Sequence, residues 1–210
     1  MTSTDDLIHS LASTAGTRRS SASLQAALAV TGAASLACAL LLVFSVIGIR
    51  QDFADMAVCM PFAFKVVCTG ALVFGASVVA LYAATPGASA TALYAVSPAV
   101  ILLALGVIFD PTGIPIMGRT NTAVAFCVGH ILFLSLPAMV LTFVFMRKGA
   151  PTQPLFAGAV IGILSASLGA MAYTLACKND GTAFVATWYT AACAIMALIG
   201  AVVGHRVLRW

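Results

Sequence analysis

Two cysteines and a histidine carry the first chemical signal in this chain. Cys127 and His130 stand three residues apart, a spacing that puts both side chains on one helical face, as a pair of soft-metal ligands requires. Cys177 precedes the short polar stretch Lys178-Asn179-Asp180-Gly181. With Cys127 it offers either a disulfide or a shared site for a thiophilic metal ion. A closed zinc site needs four donors, so Cys127, His130 and Cys177 would have to recruit Cys59 or Asp180. A histidine satisfied within the core is the simpler account of His130, although an ionisable group inside an apolar run is a functional candidate by default. Cys38 and Cys193 lie in the middle of apolar runs and read as small packing residues. Lys65, one turn inside another such run, reads as a snorkelling side chain.

Enzyme signatures are missing. The six acids are all aspartates, and there is no nucleophile elbow, phosphate-binding glycine loop or zincin pair of histidines. Asp52, Asp55, Asp110 and Asp180 fall at or beyond the ends of apolar runs. That placement disfavours an ion-coupled transporter, which needs carboxylates within the membrane.

The elements that must position these residues are helices in lipid. Hydrophobic residues make up 62% of the 210 and charged residues 8%, and six apolar runs approach the length of about 20 residues that crosses a bilayer as a helix. They cover Leu24 to Ile49, Pro61 to Ala84, Ala92 to Phe109, Ala123 to Met146, Leu155 to Cys177 and Phe184 to Val203. Lipid requires backbone groups to pair within their own segment. The expected fold class is therefore all-α, a polytopic six-helix transmembrane bundle.

Arg18, Arg19, Arg147, Lys148, Arg206 and Arg209 fall on the side of the termini, and Arg50, Lys65, Arg119 and Lys178 on the other. The excess of basic residues places both termini in the cytoplasm. Tyr82, Tyr94, Tyr173, Trp188, Tyr189 and Trp210 lie near run ends, where aromatic rings suit the headgroup layer. Gly158, Gly162, Ala166 and Gly169, with Gly200 and Gly204, repeat at helical spacing and would let backbones approach closely. Pro98 and Pro137 sit inside the third and fourth runs and are expected to kink them.

Residues 1–23 form the longest soluble segment, followed by the six-span domain at 24–203 and a basic cytoplasmic tail at 204–210. Ser3 or Thr4 can cap a short helix with Asp5 and Asp6 in its first turn and an apolar stripe of Leu7, Ile8, Leu11 and Ala12. A helix this short needs something to fold on. A membrane-surface helix would carry Lys or Arg on its polar face, so Asp5, Asp6, Leu7, Ile8 and Leu11 are expected to bind a protein partner.

A family resemblance adds what composition does not. The opening Thr4-Asp5-Asp6-Leu7-Ile8-His9-Ser10-Leu11-Ala12, Phe64-Lys65, the Arg147-Lys148-Gly149-Ala150-Pro151 loop, Cys177, the Trp188-Tyr189 pair and the closing Gly204-His205-Arg206-Val207-Leu208-Arg209-Trp210 resemble the NrsF family. That family comprises six-span proteins of the bacterial inner membrane, named as negative regulators of sigma F. The resemblance implies a non-enzymatic, multi-pass anti-sigma factor that holds an extracytoplasmic-function sigma factor of the sigma F type until a stress signal arrives. Its partners would be that sigma factor and membrane lipid, with no direct nucleic acid. It further implies that Cys127 and Cys177 sense the signal, with no resident cofactor beyond a transient thiophilic metal ion. Lys178-Asn179-Asp180 keeps one acid where the resemblance leads one to look for two. The alternative readings are a small transporter or channel for a metal or uncharged solute, and a membrane thiol oxidoreductase.

Overall fold

The computed structural model describes residues 6, 8, 9, 21–56, 59–85, 90–120, 122–149 and 151–209. Among the described residues there is no strand, and six helices are long and apolar enough to cross a membrane, the third only when its 3₁₀ lead-in from Thr91 is counted with it. We label them α1 (Ser21–Leu42, continued by a π turn at Val43–Ile47), α2 (Met60–Ala84), α3 (Ser97–Ile108), α4 (Ala123–Met146), α5 (Pro154–Tyr173) and α6 (Thr182–Val207). A one-turn helix, Phe53–Met56, lies between α1 and α2, and a 3₁₀ stretch, Ala90–Val96, leads into α3.

The small residues decide which helix is central. The membrane-length window of α5 is 72% buried, against 17% for those of α1 and α3, and α5 packs on α6, α4, α2 and α1. Gly158 faces Gly200 and Gly204, Gly162 faces Met196 and Ala197, and a Cβ at either position would collide with the α6 backbone. Gly169 instead faces Ile131 and Ser135 of α4. The predicted small-residue repeat thus serves two interfaces, as close backbone packing in lipid demands. Outward from this centre, Val30, Leu41, Phe44, Phe74, Val100, Ile108, Val140 and Leu198 are exposed.

Three expectations need correction. Pro98 does not kink a helix: it occupies the first turn of α3, where its missing amide costs nothing. The fifth helix stops at Tyr173, short of Cys177. Beyond it the chain makes a mixed turn, with Leu175 N to Ala172 O at 3.3 Å, Ala176 N to Tyr173 O at 3.0 Å and Cys177 N to Tyr173 O at 3.0 Å, and helical geometry ends before Cys177. Tyr173 and Tyr189, read as headgroup anchors, are instead 7% and 0% exposed. At the opposite end, α6 runs through the expected tail to Val207, and Leu208 is buried against Ala84, Met146 and Ala157.

Candidate functional site

The site lies at the end of the bundle away from the terminal segments, where the α1–α2, α3–α4 and α5–α6 connections meet. Cys127, one turn into α4, points inward and is 1% exposed. Cys177, in the α5–α6 connection, is 3% exposed. The two free cysteines share one buried cluster. Ala39, Val43, Ile131, Tyr173, Phe184 and Tyr189 form the apolar cluster around them. The Cys177 thiol donates to Asn179 O at 3.6 Å. The structure brings together the two cysteines that the sequence singled out.

Their setting is ionic. The Lys65 ammonium, 0% exposed, donates to Asp180 Oδ1 at 2.6 Å and to the Cys177 carbonyl at 3.2 Å. Arg50 Nη1 donates to Asp180 Oδ2 at 2.7 Å and to the same carbonyl at 3.2 Å. The other edge of the guanidinium meets Asp52, with Nε and Nη2 each at 2.8 Å from a carboxylate oxygen. Paired and hydrogen-bonded to one another and to the Cys177 carbonyl, these charges can stay out of water. The guanidinium in turn holds the exposed Asp52 carboxyl down at about 2. Lys65 is therefore a core residue and not a snorkelling one. The missed signal was a lone cation inside an apolar run with an aspartate in a connection at the same end, for burial obliges the two to pair.

Local backbone features deliver these groups. The π turn closing α1 ends at Gly48, whose φ of 85° is open to glycine at little cost. Arg50 then turns toward the bundle, its amide bonded to Leu175 O at 3.2 Å. Asp110 accepts from Thr112 N at 2.9 Å and from Ala183 N at 3.3 Å, tying the α3–α4 connection to the first turn of α6. Burial works against the charge of Asp110, but these hydrogen bonds hold its carboxyl below the ordinary value. Trp188 Nε1 donates to Ile116 O at 2.7 Å across the same junction. Beside Asp180 a cavity of about 640 Å³ opens between α2 and α3, lined by Phe64, Leu102, Leu105, Phe109 and Arg119 among others.

His130 does not join the thiols. Its Nδ1 donates to Phe126 O at 2.6 Å, and its ring stacks on Phe126 and Tyr173 with centroids 6.0 and 5.4 Å apart. Among the described residues no group of three or more His, Cys, Asp or Glu is placed to hold a metal ion, so the three-donor set Cys127, His130 and Cys177 is not assembled. Cys59 is occupied with Asp55 O at 3.4 Å. In the N-terminal segment Asp6, Ile8 and His9 are helical and exposed, whereas Asp5, Leu7 and Leu11 lie outside the described residues.

Known proteins place the chain. It is 37% identical over 84 residues to the anti-sigma-F factor NrsF of Caulobacter vibrioides, covering 40% of this chain and 39% of that one. It is 35% identical over 80 residues to a probable anti-sigma-F factor NrsF of Azospira oryzae, covering 38% of each. The chain thus matches about two fifths of the length of these curated relatives. No solved structure matches it. The family described as negative regulator of sigma F, NrsF, matches residues 11–210, and the chain belongs to that family.

Proposed function

We propose that this protein is an integral-membrane, non-enzymatic anti-sigma factor that binds an extracytoplasmic-function sigma factor at the cytoplasmic face and releases it when Cys127 and Cys177 react at the outer face. The family match over residues 11–210 carries the regulatory part of the reading. Six apolar helices with large apolar side chains turned outward support insertion in a bilayer, since a water-exposed surface of that kind would aggregate. The basic residues on the side of the termini favour a cytoplasmic location for both.

The partner surface combines the N-terminal stripe of Asp5, Asp6, Leu7, Ile8 and Leu11 with the bundle end beside it. There the α4–α5 connection and the end of α6 enclose a cavity of about 470 Å³, lined by Thr152, Gln153, Pro154, Leu155, Phe156, His205 and Arg209. Thiol chemistry at the far end shifts the bundle between two packings that differ in affinity for the sigma factor, the differential interaction that any switch needs. Co-purification from membranes of cells carrying a tagged full chain tests the reading. An RNA polymerase sigma subunit retained at rest and lost on treatment with a thiol oxidant is the expected result. A preparation free of any sigma subunit overturns it.

A further inference from the structure

Arg50, Lys65 and Asp180 form the most buried ionic cluster described, and the apolar core does not need it. Replacing such a cluster by well-packed apolar residues is often neutral or stabilising. Packing alone therefore does not account for it.

Its geometry is specific. Each cation bonds the same two groups, the Asp180 carboxylate and the Cys177 carbonyl. Asp52 fixes the guanidinium from outside, and the Arg50 amide holds Leu175. The segment from Leu175 to Asp180 is thus gripped by Arg50 in the α1–α2 connection and by Lys65 in the second turn of α2. Cys177 sits in that segment and shares the buried cluster of Cys127.

We infer that Lys65 and Arg50 are positioning residues for the thiol pair, gripping the Cys177 segment in the arrangement of the free thiols and so setting the equilibrium between dithiol and disulfide. The inference rests on the reading of these two cysteines as the responding pair.

The chemistry gives the effect a sign. Oxidation forms one Sγ–Sγ bond and releases two protons and two electrons, and a disulfide oxidant takes up both electrons as its own S–S bond breaks into two thiols. The product bridge is neutral, whereas the reduced pair can hold a thiolate, the form that a neighbouring ammonium or guanidinium favours. The charge of Lys65, and the grip of both cations on the Cys177 carbonyl, therefore stabilise the reduced pair. Removing either cation tilts the pair toward the disulfide.

The test equilibrates the full chain in lipid nanodiscs with glutathione buffers of graded ratio, followed by acid quenching and mass-spectrometric quantification of the Cys127–Cys177 bridge. Lys65→Met and Arg50→Gln are each expected to raise the equilibrium constant for the bridge about tenfold, equivalent to about 30 mV for this two-electron couple. Lys65→Arg should return it to within about twofold of the parent. The double variant Lys65→Met with Asp180→Asn leaves no unpaired buried acid, and so reports the effect even where the single variant fails to fold. Its constant should keep the shift. Constants equal to the parent's in the folded single and double variants overturn the inference while leaving the sensing pair intact. A parent that forms no bridge at any ratio removes the sensing pair, and the inference with it.

Discussion

A lysine with no exposed surface and an aspartate with 3% persist together because each completes the other's hydrogen-bonding shell. Asp180→Ala strips both cations of their shared acceptor, and breaking a buried pair from one side costs about 3–5 kcal/mol. Thermal unfolding of the purified protein should show a large loss for Asp180→Ala and a small one for Asp52→Asn, whose carboxylate is half exposed. Arg50 holds the Asp52 carboxyl at about 2, below its ordinary 3.8. Its contribution is therefore fully present above that ordinary value and is lost as pH falls through about 2. A titration of the Asp52 carboxyl that gives its ordinary value would remove the link to Arg50. Under the proposed function the two thiols act as one unit, since a bridge needs both. Cys127→Ser and Cys177→Ser should alter the response to a thiol oxidant equally, and the double substitution should add nothing. Additive effects would return both cysteines to a packing role. The cysteine pair was legible because each thiol stands beside a helix end on the same side of the chain's topology. Lys65 was not, since a cation one turn inside an apolar run looks the same whether it reaches outward to headgroups or inward to an acid.

Helix existence was readable from apolar length, because lipid leaves the backbone no other way to satisfy its amides, while helix ends were not. The α5 run continues apolar through Leu175 and Ala176, yet regular helix ends at Tyr173, and Cys177 falls in the connection beyond it. Likewise the aromatic rule failed for Tyr173 and Tyr189, because residues near a helix end face either the headgroups or a core, and sequence gives depth but not direction. The glycine repeat was readable as packing, but its division between α6 and α4 depended on the crossing geometry. That division yields a prediction at this scale. Gly162→Leu drives a side chain into the Met196 and Ala197 backbone and should abolish the folded bundle, seen as loss of a monodisperse peak after detergent extraction. Gly129→Ala, with nothing within 4 Å of the added carbon, should be neutral or slightly stabilising, since alanine is favoured over glycine in a helix interior by about 1 kcal/mol. Equal behaviour of the two variants would mean that α5 and α6 do not meet through these glycines.

An even number of long helices puts the ends of the described chain at one end of the bundle and Cys127 and Cys177 at the other, so under the proposed function a signal at the thiols travels the length of the helices to the partner. The ionic cluster joins α1, α2 and the α5–α6 connection at the signal end, and α5, wedged among α1, α2, α4 and α6, spans the distance. A change at the thiols that shifted α5 would disturb its close contacts with α6 at Gly200 and Gly204, next to the cavity at the partner end. Orientation in the membrane is checked by labelling intact spheroplasts with a membrane-impermeant maleimide. Cys59, partly exposed in the α1–α2 connection, should react from outside, and reaction only after lysis would invert the topology. The partner end carries the last prediction. If Leu7 and Leu11 are buried anchors, replacing both with Asp should weaken sigma factor binding by several kcal/mol, because truncating central apolar anchors costs about 2 kcal/mol or more each. Membrane levels of the variant should stay normal, since neither residue belongs to one of the six apolar runs. Undiminished binding at normal levels would exclude the N-terminal stripe and leave the α4–α5 connection with the end of α6 as the contact.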